Sequence, residues 1–118
     1  MSIKLKRIFE EPSPDDGHRV LVDRLWPRGI SKAGAELDEW LKSIAPTEDL
    51  RRWFHRNPKA WGDFRRRYLS QLKQHREDLR PLAERGQKED VTLLFSSSDE
   101  DHNNAVVLKQ YLKMLGSD

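Results

Sequence analysis

Two short stretches of this chain concentrate side chains able to do chemistry. The first, Asp23-Arg24-Leu25-Trp26-Pro27-Arg28-Gly29, places an acid, two guanidinium groups and an indole within seven residues. Arg24 and Arg28 can each offer a planar fork of donors to a phosphate or carboxylate, and Trp26 can supply a stacking face. One charge-assisted bond to a guanidinium contributes about 1.5 to 3 kcal/mol, so two such bonds would hold a small anion. The second stretch runs from Ser96 to Asn104 and contains Asp99, Glu100, Asp101, His102 and Asn103. His102 has the chemistry of an acid–base or ligand-orienting group, and Asp23 is the matching candidate for a nucleophile or general base.

Each cluster also has a purely structural reading. Asp23 can pair with one of its neighbouring arginines while Trp26 packs under the loop and Pro27 and Gly29 set a turn. Ser97-x-x-Glu100 and Ser98-x-x-Asp101 both fit capping boxes, and acids early in a helix suit its dipole. Capping does not require His102 and Asn103. Asp99, Asp101 and His102 offer oxygen and imidazole donors, but their spacing matches no metal-ligand pattern, so no metal is expected. No GxGxxG or P-loop string occurs, so no nucleotide cofactor is expected. With no cysteine in the chain, disulfides, thiolate metal sites and thiol nucleophiles are excluded.

The elements that position these clusters follow from periodicity. Ile3 to Phe9 alternates as a half-buried strand, and residues 10–17 collect turn formers. His18 to Asp23 reads as a second strand with both faces apolar at its centre, and Val91 to Phe95 as a third. Residues 24–34 form an irregular connection. Leu37, Trp40, Leu41 and Ile44 fall at helical spacing, a stripe that ends at Ala45-Pro46, but it is barely two turns long and residues 36–45 read as helix or as extended strand. Thr47 caps a short helix with Glu48 and Asp49 in its first turn, ending before Asn57. Asn57-Pro58 then opens one long amphipathic helix on Trp61, Phe64, Tyr68, Leu72, His75 and Leu79, which Pro81 ends or kinks and Gly86 closes. Ala105, Leu108, Tyr111, Leu112 and Leu115 mark a last helix. The order implies a single α/β domain over residues 1–118, a mostly parallel sheet of three or more strands covered by helices. In such sheets ligands collect beyond the carboxyl ends of the strands, where both clusters would meet.

Composition narrows the function classes. The 118 residues carry 22 basic and 20 acidic side chains, unevenly spread: residues 48–85 hold 11 basic against 6 acidic, residues 86–118 hold 3 against 6. No apolar run approaches the roughly 18 residues of a membrane span, and the N-terminal stretch lacks a signal-peptide core. The expectation is a soluble cytoplasmic protein. Arg51, Arg52, Arg56, Lys59, Arg65, Arg66, Arg67, Lys73, Arg76 and Arg80 form a basic helical region. That region suits nucleic acid or an acidic protein, or simply a solvated face. No known DNA-binding module is visible, and Arg65 to Arg67 span about 200° around a helix, too wide for one duplex. His75 reads as a packed side chain, His18 as structural, and His55 as a possible neighbour of the clusters.

Three strings resemble one family. Pro-x-Asp-Gly-x-Arg-Val-Leu-Val-Asp-Arg-Leu-Trp-Pro-Arg-Gly-(x)2-Lys from Pro14 to Lys32, Trp-(x)4-Ala-Pro from Trp40 to Pro46, and Asp-(x)2-His-Asn-x-Ala-(x)2-Leu from Asp99 to Leu108 are similar to the YeaO-like bacterial proteins, domain of unknown function 488. The resemblance covers nearly the whole chain and implies an α/β single domain, with no assigned reaction. More distant relatives carry a Cys near the third strand and a Cys-His-Arg string in the last motif. Here Ser96 to Ser98 and His102-Asn103-Asn104 stand instead, so no thiol mechanism carries over.

The expected function is a small-anion site for a phosphate- or carboxylate-bearing metabolite at the carboxyl edge of the sheet. Arg24, Trp26, Arg28, Asp99 and Asn103 would be ligand-binding, and His102 and Asp23 catalytic if a reaction occurs. The alternative is a non-enzymatic module that uses basic helices 48–85 to contact nucleic acid or an acidic protein. No cofactor is implied, and the oligomeric state is not encoded in any visible pattern.

Overall fold

The apolar runs pair into one sheet, and its register explains most of the core. The structure, a computed structural model, describes residues 2–117. Strands β1 (Ile3–Arg7), β2 (His18–Leu21), β3 (Glu39–Trp40) and β4 (Val91–Phe95) lie in the order β1-β4-β2-β3. All pairings are parallel, with Leu93 opposite both Leu5 and Val20. β4 is buried at each of its five positions, as a central strand covered on both faces must be.

Alternation along the strands sends side chains to two unequal cores. Val20, Val22, Val91, Leu93 and Phe95 face the larger one, with Phe64, Tyr68, Leu72, Leu79, Leu108 and Leu112 from the helices. These helices are α2 (Glu48–Arg56), α3 (Trp61–Gln74), α4 (Arg76–Lys88) and α5 (Asn104–Gly116). Leu21 and Leu94 face the other way, against Ile8 and Ala35. Residues 26–40 cover that face as a strap containing one turn of helix, α1 (Lys32–Ala35). Trp26 and Trp40 meet edge-on inside the strap, with centroids 5.3 Å apart.

One open alternative from periodicity is decided and three expectations are corrected. The stripe Leu37, Trp40, Leu41, Ile44 is not a helix but β3 followed by a 3-10 turn (Lys42–Ile44). Glu36, at φ 47°, ends α1 in the left-handed region, and the following amides are taken by β2: Asp38 N donates to Arg19 O and Leu41 N to Leu21 O, each at 2.9 Å. The four apolar residues then divide, Leu37 and Trp40 to the small core, Leu41 and Ile44 to the large one. Asn57 does not start a helix, because its amide side chain donates to the Trp53 carbonyl at the end of α2; α3 begins at Trp61. The long helix is broken at His75 rather than at Pro81, so that α3 and α4 both pack on α5 with Leu72 and Leu79 buried. Pro81 sits inside α4 on its solvent side, where the Glu77 carbonyl that loses a partner can be hydrated. Gly86 is no terminator either: it lies within α4, and a Cβ there would sit 2.8 Å from Ile3 of β1.

One buried charge cluster joins the strap to the sheet. Arg19, 5% exposed, donates to the Asp16 carboxylate (2.5 Å) and to the carbonyls of Ala35 (2.8 Å) and Glu36 (3.1 Å). Asp16 also accepts from Lys6 Nζ and the Ser13 amide. Burial opposes its charged form, but the Ser13 amide, Lys6 and Arg19 outweigh it and hold the pKa below the ordinary 3.8. Gly17 completes the turn at φ 66°, where any Cβ would collide with the Asp90 carbonyl.

Removing Arg19 leaves Asp16 with Lys6 and the Ser13 amide but strips the buried Ala35 carbonyl of its guanidinium donors, so Arg19→Met should cost about 1 to 3 kcal/mol in urea denaturation. A loss below about 1 kcal/mol would show the cluster to be dispensable. Since the Asp16 pKa is lowered on folding, its contribution is complete above the unfolded pKa and disappears as pH falls through the folded one. Asp16→Asn should therefore be less stable than the parent near neutrality and show a shallower fall in stability on acidification.

Candidate functional site

At the carboxyl edge, β2 and β4 are neighbours whose chains leave in opposite directions. The chain after β2 crosses to the strap face, while the chain after β4 turns through residues 96–103 into α5 on the helical face. Diverging exits from adjacent parallel strands open a crevice, the usual place for a ligand in this architecture. A cavity of about 320 Å³ lies there, lined by Asp23 and Arg24 after β2, Ser96 and Ser97 after β4, Arg51, Phe54 and His55 of α2, and His102 to Asn104.

Local sequence sets each side chain. Thr47 caps α2 by accepting from Leu50 N, which places Arg51, Phe54 and His55 on one flank. Phe54 stacks on Phe64 (4.2 Å between centroids), forming the apolar floor. Asp23 accepts from the Ser96 amide (2.9 Å), the Ser96 hydroxyl (2.8 Å) and Asn104 Nδ2 (3.1 Å), so its carboxylate joins the ends of β2 and β4 to the start of α5. Arg24 donates through Nε to the Pro46 carbonyl and through Nη2 to the Ala45 carbonyl. Neither oxygen carries a formal charge, and no carboxylate forms an ion pair with Arg24 among the described residues.

The 96–103 loop is held by Asp99, not by the two expected capping boxes. Asp99 Oδ1 accepts from the amides of Asp101 and His102, each at 3.0 Å, and Asp99 Oδ2 lies 3.1 Å from His102 Nδ1. Those bonds, the Asp101 amide first, hold its carboxyl below the usual carboxylate value. The true cap of α5 is Asn103, whose side chain accepts from Val106 N and donates to the Asp99 carbonyl. His102 therefore precedes the helix instead of riding on its first turns. Its ring meets the Trp61 edge (5.1 Å), and with Nδ1 held by Asp99 its Nε2 has no partner among the described residues. Arg51 binds Glu48 at 2.5 Å, which lowers the Glu48 pKa and raises that of Arg51.

The structure thus brings Asp23, Arg24, Asn103 and His102 together, with Asp99 behind His102. It does not bring Trp26 or Arg28. Trp26 belongs to the strap, with Nε1 donating to the Ile30 carbonyl, and Arg28 is exposed on the turn beyond it. Arg51, Phe54, Ser96, Ser97 and Asn104 were not singled out for the site by sequence, although position 51, 54 and 55 share a flank once Thr47 is taken as the cap. Asn104, which bonds both Asp23 and the Val22 carbonyl, carries no such signal. Among the described residues, no three His, Asp or Glu side chains are grouped to hold a metal ion. No helix among the described residues is long and apolar enough to cross a membrane.

Comparison with known proteins places this geometry in a family. Residues 2–116 match the family model DUF488-N3i, described as the inactive DUF488-N3 subclade. The chain is 43% identical to the uncharacterized protein YeaO of Escherichia coli (strain K12) over 115 residues, 98% of this chain and 100% of that one. It is 37% identical over 112 residues to the uncharacterized protein Rv3073c of Mycobacterium tuberculosis (strain ATCC 25618 / H37Rv), covering 93% and 92% of the two chains. The uncharacterized protein Mb3100c of Mycobacterium bovis matches with the same figures of 37%, 93% and 92%. No solved structure matches significantly.

The threefold acceptance by Asp23 should be visible in solution. Asp23→Ala strands the Ser96 amide and removes one of the two acceptors of Asn104 Nδ2, and should cost about 1 to 3 kcal/mol in chemical denaturation. Hydrogen exchange should also accelerate at Ser96. An unchanged Ser96 amide would mean that the edge is held by other contacts.

Proposed function

The chain belongs to the DUF488-N3i family, the inactive DUF488-N3 subclade, and on that premise we propose that its carboxyl-edge cleft binds a small phosphate- or carboxylate-bearing metabolite without turning it over. The observation that carries this reading is the convergence of Arg24, Arg51, His55 and His102, from three separate segments, on one open cavity whose lining holds a single carboxylate, Asp23. That carboxylate already accepts three hydrogen bonds. The cleft therefore offers donors in excess of acceptors, and the Phe54–Phe64 floor excludes water from one side of a bound anion. An incoming anion takes the place of Glu48 at Arg51 and completes the open donors of Arg24.

A second reading rests on the Asp99–His102 pair. A histidine with one ring nitrogen held by a carboxylate presents the other to a bound group, the arrangement of an acid–base catalyst acting on a phosphate or carboxylate ester.

Titration with inorganic phosphate, a phosphomonoester and a dicarboxylate, followed by amide NMR, tests the proposal. Shifts are expected at Ser96, Ser97 and His102, and Arg51→Ala or His55→Ala should each weaken binding about 10-fold. Arg28→Ala should leave it unchanged. No shifts with any of the three, or an equal loss in Arg28→Ala, would overturn the site; appearance of hydrolysed ester would favour the acid–base reading.

A further inference from the structure

The flank of α2 opposite the cleft forms one wall of a groove, with α3 as the other. Its lining includes Arg52, Trp53 and Arg56 from α2, and Arg66, Arg67 and Gln71 from α3. The two rows belong to the segment with the excess of positive charge, and Asp49 is the only carboxylate in the lining. Arg52 is satisfied by Glu48 at 3.1 Å, and Arg66 by Asp63. Arg56 and Arg67 meet no carboxylate among the described residues. Arg67 instead stands over the Trp53 ring, 4.1 Å from its centroid.

From this arrangement we infer that the α2–α3 groove binds single-stranded nucleic acid. Guanidinium forks on both walls match phosphate oxygens in pairs. The Arg67–Trp53 stack is a ready platform for a base, since bases stack on indole and guanidinium planes alike. An acidic peptide would satisfy the charges but would leave that platform unused, and the groove offers no second apolar pocket for its side chains: Leu50, the other apolar lining residue, is 5% exposed. Only an unpaired base exposes the face that this platform would take, which favours a single strand over a duplex. The groove lies apart from the anion cleft, with Arg51, Phe54 and His55 on one flank of α2 and Arg52, Trp53 and Arg56 on the other; Glu48, which pairs with both Arg51 and Arg52, is their one shared partner.

The test is fluorescence anisotropy with a labelled oligo(dT) strand of about 12 nucleotides, from roughly 50 to 200 mM salt. Binding should weaken steeply with salt, and Arg56→Ala and Arg67→Ala should each lower affinity about 3- to 10-fold and flatten the log–log salt slope by about 0.7. Tryptophan emission should be quenched on binding, and the quenching should vanish in Trp53→Phe while the variant keeps its fold. His55→Ala, which weakens the anion cleft and touches no residue of the groove, should bind the strand as the parent does, so the two proposals fail separately. Absence of binding at the lowest salt, binding indifferent to Arg56→Ala and Arg67→Ala, or equal affinity for polyglutamate or for duplex of the same length would overturn the inference.

Discussion

The carboxylate of Asp23 is the point on which the carboxyl edge depends. Its two oxygens receive the Ser96 amide, the Ser96 hydroxyl and Asn104 Nδ2, while its backbone carbonyl receives Trp40 Nε1 at 2.7 Å. One residue thereby ties β2, β4, the start of α5 and the strap together just where the chain diverges to the two faces of the sheet. The acid that looks most like a nucleophile in the sequence is a structural hub, and the cleft exists because that hub holds the diverging loops at a fixed separation. All buried side-chain polar atoms among the described residues have partners, so the edge is held by satisfied bonds rather than by strain.

A second principle runs through the molecule: arginines that face inward are held mainly by backbone carbonyls. Arg19 takes the Ala35 and Glu36 carbonyls, Arg24 those of Ala45 and Pro46, and Arg7 those of Ser96 and Ser97. A guanidinium has five donors in a rigid fork and can terminate several loose chain ends at once. Only Arg19 is also paired with a buried acid. Arg7 thereby fastens the loop after β4 to the end of β1, and Arg24 fastens the chain after β2 to the segment before α2.

Much of the architecture is legible in the sequence because it rests on local periodicity. The three longer strands, the Thr47 cap and the last helix follow from alternation and turn chemistry, and a mostly parallel sheet follows from the helical crossover; which strands are neighbours in it does not. What is not legible is decided by distant partners. Leu37 to Ile44 has a helical spacing by coincidence, and only the exposed edge of β2 makes it a strand. Trp26 and Arg28 adjoin Arg24 in sequence, yet the strap carries them to the other face of the sheet. Asn103, a candidate ligand residue, proves to be the helix cap, and the Ser97 and Ser98 boxes yield to Asp99. Within the site, Asp23, Arg24 and His102 were found from residue type, whereas Arg51 and Asn104 depend on how α2 and α5 approach the edge.

The position of β4 at the centre of the sheet has a consequence for synthesis. β1 and β2 are separated by it and do not pair with each other; each waits for a strand about 70 to 90 residues further on. A nascent chain lacking residues 91–95 can make only the two-residue β2–β3 pairing, far too little to stand alone. Most of the molecule must leave the ribosome before the sheet can close, and the apolar strands remain open to solvent and chaperones until it does.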